Sequence, residues 1–181
     1  MKENKSYQLF IEFAKSVFTS LIFVLILTNF VVKPIKVNGD SMYPTLKDQS
    51  LGFSNILTYE LFGVNRYDIV IVYVESMNEY LVKRVIGLPN ETIEVNDDLV
   101  YINGKLINQD FLDENYVSQF PVFTNGFETV TIGEDEVFLM GDNRPYSSDS
   151  RVFGTFKLED IIAKDAYIFY PFDEINWFKG D

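Results

Sequence analysis

The chain has 181 residues, carries a formal net charge of −12 and contains neither histidine nor cysteine. This inventory excludes serine–histidine and cysteine nucleophile sites, zinc sites of the usual His/Cys type, and disulfide scaffolds. The acidic balance also argues against binding to a phosphate backbone, so we expect no nucleic-acid partner.

An uncharged apolar segment at residues 16–32 predicts one membrane span. It lies at the short end of what a hydrocarbon core of roughly 30 Å requires, and residues 9–14 could extend the helix. A cleaved signal peptide would end in a small-x-small site, which residues 31–34 do not offer. A buried soluble helix, the other alternative, usually shows polar residues at each turn. We therefore expect an uncleaved anchor preceded by a short interfacial segment, residues 1–15.

The lysines beside this anchor do not decide its orientation. Three precede the apolar segment and two follow it, and the positive-inside rule depends on that small difference. Orientation has to be inferred from function.

Residues 33–181 predict a mainly antiparallel β domain, because short strand-like runs such as 69–74 and 80–86 alternate with turn residues. Asn103–Gly104 predicts a two-residue hairpin turn, since both residues tolerate positive φ angles. Residues 108–133 show weaker patterning and predict a surface excursion or a peripheral hairpin. The expected fold class is mainly β, with one N-terminal transmembrane helix.

A serine follows the anchor in a segment that predicts an exposed turn. Ser41 lies between the flexible Gly39 and the rigid Pro44. On its own this segment favours an ordinary turn or helix-capping serine.

A lysine lies within one of the predicted strands. Alternation puts Leu81, Lys83 and Val85 on one face of that strand. Burial among apolar neighbours lowers the pKa of a lysine, and the neutral amine can then act as a base. The alternative is an edge-strand lysine whose charge stays in water, and the position alone does not decide between the two.

A polar loop after residues 137–140 carries four charged residues suited to bidentate pairing with one another, Asp142, Arg144, Asp149 and Arg151. Loops this polar are usually solvated turns. Mutual pairing would make this one rigid enough to support a site.

Together and in this order, three segments resemble the type I signal peptidases of bacteria. They are Ser-Met-Tyr-Pro-Thr at 41–45, Lys-Arg-Val-Ile-Gly-Leu-Pro at 83–89 and the polar loop at 141–151. The resemblance extends from the anchor to residues 170–172 and is closer to the compact Gram-positive form. It implies a serine endopeptidase with an antiparallel β fold and a shallow cleft, and neither a cofactor nor a metal.

The resemblance assigns roles residue by residue. Ser41 would be the nucleophile and Lys83 the general base. Ser147 would hydrogen-bond the lysine amine, and the site would be buttressed by Asp142, Arg144, Asp149 and Arg151. The cleft would select small residues one and three positions before the cut. The pocket for the first of these would be lined by Val37, Met42, Leu46, Leu81 and Val82, and Ile35 would lie near the second pocket.

The same resemblance implies partners and a location. The substrates would be exported preproteins, cut after their N-terminal signal peptides, and the lipid bilayer would be a second partner. The family's active site faces the outer side of the cytoplasmic membrane, so residues 1–15 would be cytoplasmic and residues 33–181 extracytoplasmic.

Two positions depart from the family's pattern. Gly39 stands where some members carry a serine whose side chain completes the oxyanion hole, so the second oxyanion donor is unassigned. Asn90 replaces the glycine usual after Leu-Pro, and asparagine tolerates the left-handed conformation that the turn requires.

Two other functions compete with this interpretation. A self-cleaving Ser/Lys repressor would need a DNA-binding module where this chain has its apolar segment. A catalytically inactive homologue, acting as a binding or accessory protein, would be indicated by loss of Ser41 or Lys83, and both are present.

Overall fold

The computed structural model describes residues 3–178 of the chain. The strands are β1 Val32–Lys36, β2 Leu51–Asn55, β3 Ile69–Val74, β4 Glu79–Gly87, β5 Thr92–Asn96, β6 Leu99–Ile102, β7 Lys105–Leu106, β8 Phe127–Thr131, β9 Glu136–Met140, β10 Phe156–Lys157, β11 Ile161–Tyr170 and β12 Asn176–Phe178. The helices are α1 Glu3–Phe30, α2 Ile56–Phe62, α3 Glu114–Val117 and α4 Ser150–Phe153. All strand pairs among the described residues are antiparallel. The expected fold class, mainly antiparallel β with one N-terminal apolar helix, is confirmed.

Helix α1 contains the predicted apolar segment. By length and composition its portion Lys5–Phe30 can cross a membrane, and none of that apolar stretch is buried in the protein. The helix stops at Phe30, so Val31 falls in a turn and Val32 begins β1, although both were expected in the span. The reason is local, because Pro34 disfavours helix in the preceding residue and β-branched valines favour strands.

The main sheet has the order β1-β2-β11-β3-β4-β9-β10, and β12 pairs with β11 beyond the end of β3. A smaller sheet has the order β7-β6-β5-β8. One apolar cluster joins the small sheet to β4 and β9. A second covers the face of the main sheet that carries Val85 and Leu139. A third lies beneath the β1–β2 connection and includes Met42 and Leu46, which fixes that connection against the sheet.

The hairpin predicted at Asn103–Gly104 is confirmed, with φ angles of 50° and 72° at its two turn residues. The segment at residues 108–133, which we expected to be a surface excursion or a peripheral hairpin, is mostly exposed or half-buried and contributes β8 to the edge of the small sheet. Its strand β8 pairs with β5, and Phe123 is buried. Weak patterning there reflects a strand whose side chains are mostly exposed or half-buried, so it lacks a clear apolar alternation.

Candidate active site

Ser41 lies in the connection between β1 and β2, and buried neighbours hold this connection in place. Met42 and Leu46 are each 1% exposed and serve as apolar anchors. The amide of Gly39, at a φ of 82°, donates a hydrogen bond to Asp48 Oδ1 at 2.7 Å. The serine hydroxyl is therefore presented by a loop whose two sides are fixed.

Lys83 reaches this hydroxyl from β4. Its side chain is only 2% exposed, and its Nζ donates a hydrogen bond to Ser41 Oγ at 2.6 Å. Burial lowers the pKa of the Lys83 amine from 10.5 to about 8. The predicted cause of the shift, removal of the ammonium from water, is the dominant one. A neutral amine in this position can accept the hydroxyl proton.

Nearby carboxylates do not restore an ordinary pKa to Lys83. Asp149 and Asp142 raise the pKa of the amine, whereas Arg151 lowers it, and burial outweighs them all. Asp149 accepts two hydrogen bonds of 2.8 Å from Arg151. Burial disfavours the charge on Asp149, but the bonds from Arg151 hold the pKa of its carboxyl below the usual value. Its negative charge is therefore largely balanced by the arginine.

The charged loop, residues 141–151, pairs only in part as we expected, since Asp149 bonds Arg151 within the loop whereas Asp142 bonds a residue outside it. Asp142 bonds Arg84 on β4, at 2.8 Å to Nε and 2.6 Å to Nη2, and accepts a third bond from Thr45 Oγ1 at 2.6 Å. The Arg84 guanidinium also lies 4.3 Å from the centre of the Phe111 ring. Asp142 thus ties the Ser41 loop to β4. Sequence reasoning missed Arg84, although a buried arginine beside Lys83 always requires a partner.

Arg144 makes no ion pair with any residue that the structure describes, so its expected pairing with a carboxylate is wrong. It is buried, and it donates to Gly141 O at 3.0 Å and to Thr124 Oγ1 at 3.3 Å. Burial lowers the pKa of this guanidinium to about 10. Through these two hydrogen bonds, Arg144 connects the charged loop to the segment before β8.

Ser147 lies near the dyad of Ser41 and Lys83, but it does not make the hydrogen bond to the lysine amine that we expected. No hydrogen bond joins its Oγ to the Lys83 amine in the described part of the chain. The Oγ atom is buried and packs against Gly141. A Cβ at Gly141 would collide with Ser147 Oγ and with the carbonyl oxygen of Ser41. The absent side chain at Gly141 lets the charged loop approach the serine loop closely.

A cleft runs beside the dyad between β1 and the first half of β4. β9 pairs with β4 only from Arg84 onward, and β1 pairs only with β2 among the described strands. Two strand edges therefore face one cleft of about 420 Å³, to whose lining Lys33 and Tyr80 also contribute. Of the expected pocket residues, the cleft is lined by Ile35, Leu81 and Val82.

The other three expected pocket residues lie deeper. Val37, Met42 and Leu46 are at most 3% exposed and form the apolar cluster against which Ile35 and Val82 pack. They can shape the floor of the cleft while exposing little surface to a ligand.

The structure places both positions that depart from the family's pattern in well-defined conformations. The Gly39 amide already donates to Asp48, so that group supplies no second oxyanion donor in this arrangement. Asn90 has a φ of 64°, the left-handed conformation that we expected it to tolerate.

Comparison with known proteins agrees with this architecture. A family model described as signal peptidase, peptidase S26, matches residues 10–170. The chain is 36% identical over 171 residues to signal peptidase I S of Bacillus subtilis, covering 92% of each chain. It is 31% identical to signal peptidase IB of Staphylococcus aureus, covering 92% of this chain and 93% of that one.

A solved structure provides a similar result. The crystal structure of a signal peptidase I from Enterococcus faecalis matches with 36% identity and a TM-score of 0.51, covering 56% of this chain and 95% of that one. Both the fold and the sequence therefore agree on one family. The chain belongs to the signal peptidase family, peptidase S26, and is a peptidase of the hydrolase class.

Proposed function

We propose that this chain is a type I signal peptidase that cleaves signal peptides from exported preproteins, with Ser41 as nucleophile and Lys83 as general base. The observation that carries the proposal is the 2.6 Å contact between Lys83 Nζ and Ser41 Oγ. The lowered pKa of Lys83, about 8, supplies the neutral amine that the chemistry needs. Since the chain has no histidine, no imidazole can take this role.

In the acylation step, Ser41 Oγ attacks the carbonyl carbon of the scissile bond while its proton passes to Lys83 Nζ. The tetrahedral intermediate carries its negative charge on the former carbonyl oxygen, and the Ser41 amide is the donor we assign to it. Collapse breaks the carbon–nitrogen bond, and the Lys83 ammonium protonates the leaving amine. The signal peptide is then an ester on Ser41, and the mature protein departs with a new N-terminus.

In the deacylation step, Lys83 takes a proton from water, and the hydroxide attacks the ester carbonyl. The Ser41 oxygen leaves and recovers its proton from the lysine. Lys83 is neutral at the start of both steps and a cation in the middle of each. A pKa near the working pH suits a group that must be both base and acid.

We assign positioning roles to the surrounding charged residues. Asp142 and Arg84 hold the serine loop against β4, and Asp149 with Arg151 fixes the loop over the lysine. Ser147 and Arg144 support the same loop through packing and through hydrogen bonds to the segment before β8. None of these side chains donates a hydrogen bond to Ser41 Oγ in the structure's described residues, whereas Lys83 does.

The cleft between β1 and β4 fits an extended signal-peptide strand. Along this cleft, neither bordering strand has a neighbour on its open edge among the strands that the structure describes, so a substrate strand can add to either edge. Side chains alternate along a strand, which sends the residues one and three positions before the cut toward the same face. We propose that Ile35, Leu81 and Val82 contact these residues directly, over a floor of Val37, Met42 and Leu46, and leave room only for small side chains.

The function and its base are tested by one pH profile. We expect the detergent-solubilised protein to cut a labelled preprotein. Its kcat/KM should rise with pH until Lys83 is neutral and should level off once the pH exceeds the Lys83 pKa of about 8. Below that pH the rate should fall about tenfold per unit, because protonation removes the base. Mass spectrometry of the new N-terminus identifies the bond. No cleavage at any pH would contradict the proposal and favour the inactive accessory homologue. Cleavage with a profile that is flat between pH 6 and 9 would show that a group other than Lys83 acts as the base.

We also propose that α1 anchors the protein with its N-terminus in the cytoplasm and that the β domain, from β1 onward, faces the outside. Because the natural chain lacks cysteine, single cysteines report orientation cleanly. We expect a membrane-impermeant maleimide to label Ser76→Cys, in the exposed β3–β4 turn, on intact spheroplasts. Ser6→Cys, at the start of α1, should react only after lysis. The reverse pattern would invert the proposed topology.

A further inference from the structure

A second cavity opens beside Ser41, away from the cleft between β1 and β4. It has a volume of about 530 Å³, and its five lining residues are Asp40, Tyr43, Tyr116, Asn143 and Tyr146. The Ser41–Lys83 chemistry gives none of these residues a role. The cavity and the cleft share no lining residue.

Hydrogen bonds fix this cavity relative to the nucleophile. The backbone amide of Asn143 donates to Ser41 O at 3.1 Å, and its Nδ2 donates to Asp40 O at 2.9 Å. The Tyr116 hydroxyl donates to Asn143 Oδ1 at 3.0 Å. One asparagine therefore connects the serine loop, the charged loop and α3, and it fixes the cavity lining next to the backbone of Ser41.

Aromatic rings form the walls of the cavity. The Tyr43 and Tyr116 rings meet edge to face, with centroids 5.0 Å apart. Phe120 contacts both Tyr116 and Tyr146, at 5.2 and 6.1 Å. Tyr146 is 69% exposed, so one wall presents its ring to solvent and to any ligand. Such an exposed large ring at the mouth of a cavity is a ready contact surface.

The cavity favours positive charge. It contains the Asp40 carboxylate and three phenol rings, and none of the lysines or arginines among residues 3–178 is part of its lining. Burial raises the pKa of the Tyr116 hydroxyl, and the neighbouring Tyr146, Tyr43 and Asp40 raise it further, which places these groups close together. A cation near them gains attraction from the carboxylate and from the electron-rich ring faces.

The position of the cavity indicates which part of a substrate reaches it. Asn38 lines the cleft and Asp40 lines the cavity, and Ser41 is the next residue of the same loop. A substrate whose signal peptide occupies the cleft must continue past Ser41 on the other side. This step rests on the proposed function.

We propose that the cavity binds a residue of the mature protein just after the scissile bond and that it prefers a basic side chain there. Asp40 supplies the charge, and Tyr146 with Tyr43 supplies the ring faces. The signal-peptide cleft would then select small residues before the cut, while this second cavity selects among preproteins by the charge that follows it.

The test uses matched peptides cleaved by the full-length protein in detergent. Each carries Lys, Ala or Glu at one of the first three positions after the cut, and the readout is the Lys-to-Glu ratio of kcat/KM within one enzyme. At one of these positions we expect a ratio of about tenfold in the natural protein. Asp40 would attract a lysine side chain and repel a glutamate side chain, and each effect is modest because the site is partly exposed to solvent. Asp40→Asn should bring that ratio close to one. Tyr146→Leu should lower the ratio of Lys to Ala.

A charge-matched control separates local from general electrostatics. Glu60→Gln removes one exposed negative charge from α2, which does not line the cavity, and should keep the full ratio. A ratio near one at every position in the natural protein would overturn the inference, as would an Asp40→Asn ratio that stays high. Failure to cleave any peptide or preprotein would instead overturn the proposed function, so the two failures are distinguishable.

Discussion

We expect Ser41→Ala to lower kcat/KM for preprotein cleavage by about 10⁴-fold or more, and Lys83→Met to do the same. The nucleophile and its base act as one unit across a 2.6 Å hydrogen bond, so the double variant should be no worse than either single one. Methionine keeps most of the volume of the buried lysine, which preserves packing. The measurement is single-turnover cleavage of a labelled preprotein, with near-ultraviolet circular dichroism to show that the domain is folded.

Two control variants sharpen this test. Ser76→Ala removes an exposed turn hydroxyl and should leave the rate unchanged. Lys83→Arg keeps the positive charge but should be as inactive as Lys83→Met, because a guanidinium does not deprotonate in this pH range. An active Lys83→Arg enzyme, or cleavage at the normal bond by Ser41→Ala, would show that another group performs the chemistry.

Arg84→Ala should reduce the free energy of unfolding by about 3–5 kcal/mol, because it leaves the buried Asp142 charge without its partner. Arg84 and Asp142 have side chains that are only 5% and 1% exposed, so solvent cannot replace the lost interaction. The change also removes the guanidinium that lies over Phe111. Chemical denaturation in detergent, followed by near-ultraviolet circular dichroism, measures the loss.

The matched control is Lys157→Ala. Lys157 forms an ion pair with Glu159 at 3.0 Å, but both side chains are more than 60% exposed. Water and salt screen this pair, so its loss should leave the denaturation midpoint unchanged within error. Equal effects of Arg84→Ala and Lys157→Ala would show that burial does not strengthen the Arg84–Asp142 interaction in this protein.

Several features of the fold were predictable because their causes are local. The anchor follows from an apolar run, and the hairpin follows from two residues that accept positive φ angles. The low pKa of Lys83 could also be anticipated, since strand alternation places it between Leu81 and Val85. The end of α1 was misjudged by two residues, because hydropathy does not register the preference of Pro34 for an extended predecessor.

The pairing of charged side chains was not predictable in the same way. Asp142 and Asp149 are the same residue type in the same loop. Asp142 nevertheless bonds Arg84, 58 residues earlier, whereas Asp149 bonds Arg151, two residues later. Partner choice depends on which strands become neighbours, and β4 lies beside β9 only in the folded sheet. Arg144 was expected in an ion pair because it shares a loop with two aspartates. In the structure it donates instead to a backbone carbonyl and to a threonine hydroxyl.

By itself, the sequence determined the chemical inventory of this protein: a serine and a lysine available for catalysis, no histidine or cysteine, an apolar helix and a β domain. Composition and local patterns suffice for these because each depends on residues adjacent in the chain. The tertiary structure decided the 2.6 Å approach of Lys83 to Ser41 and the neighbours of each charge. It also assembled the tyrosine-lined cavity from residues 40–43, 116 and 143–146. Such sites form where distant segments of the chain meet. The distances between their side chains depend on the folded arrangement, so no local sequence pattern predicts them.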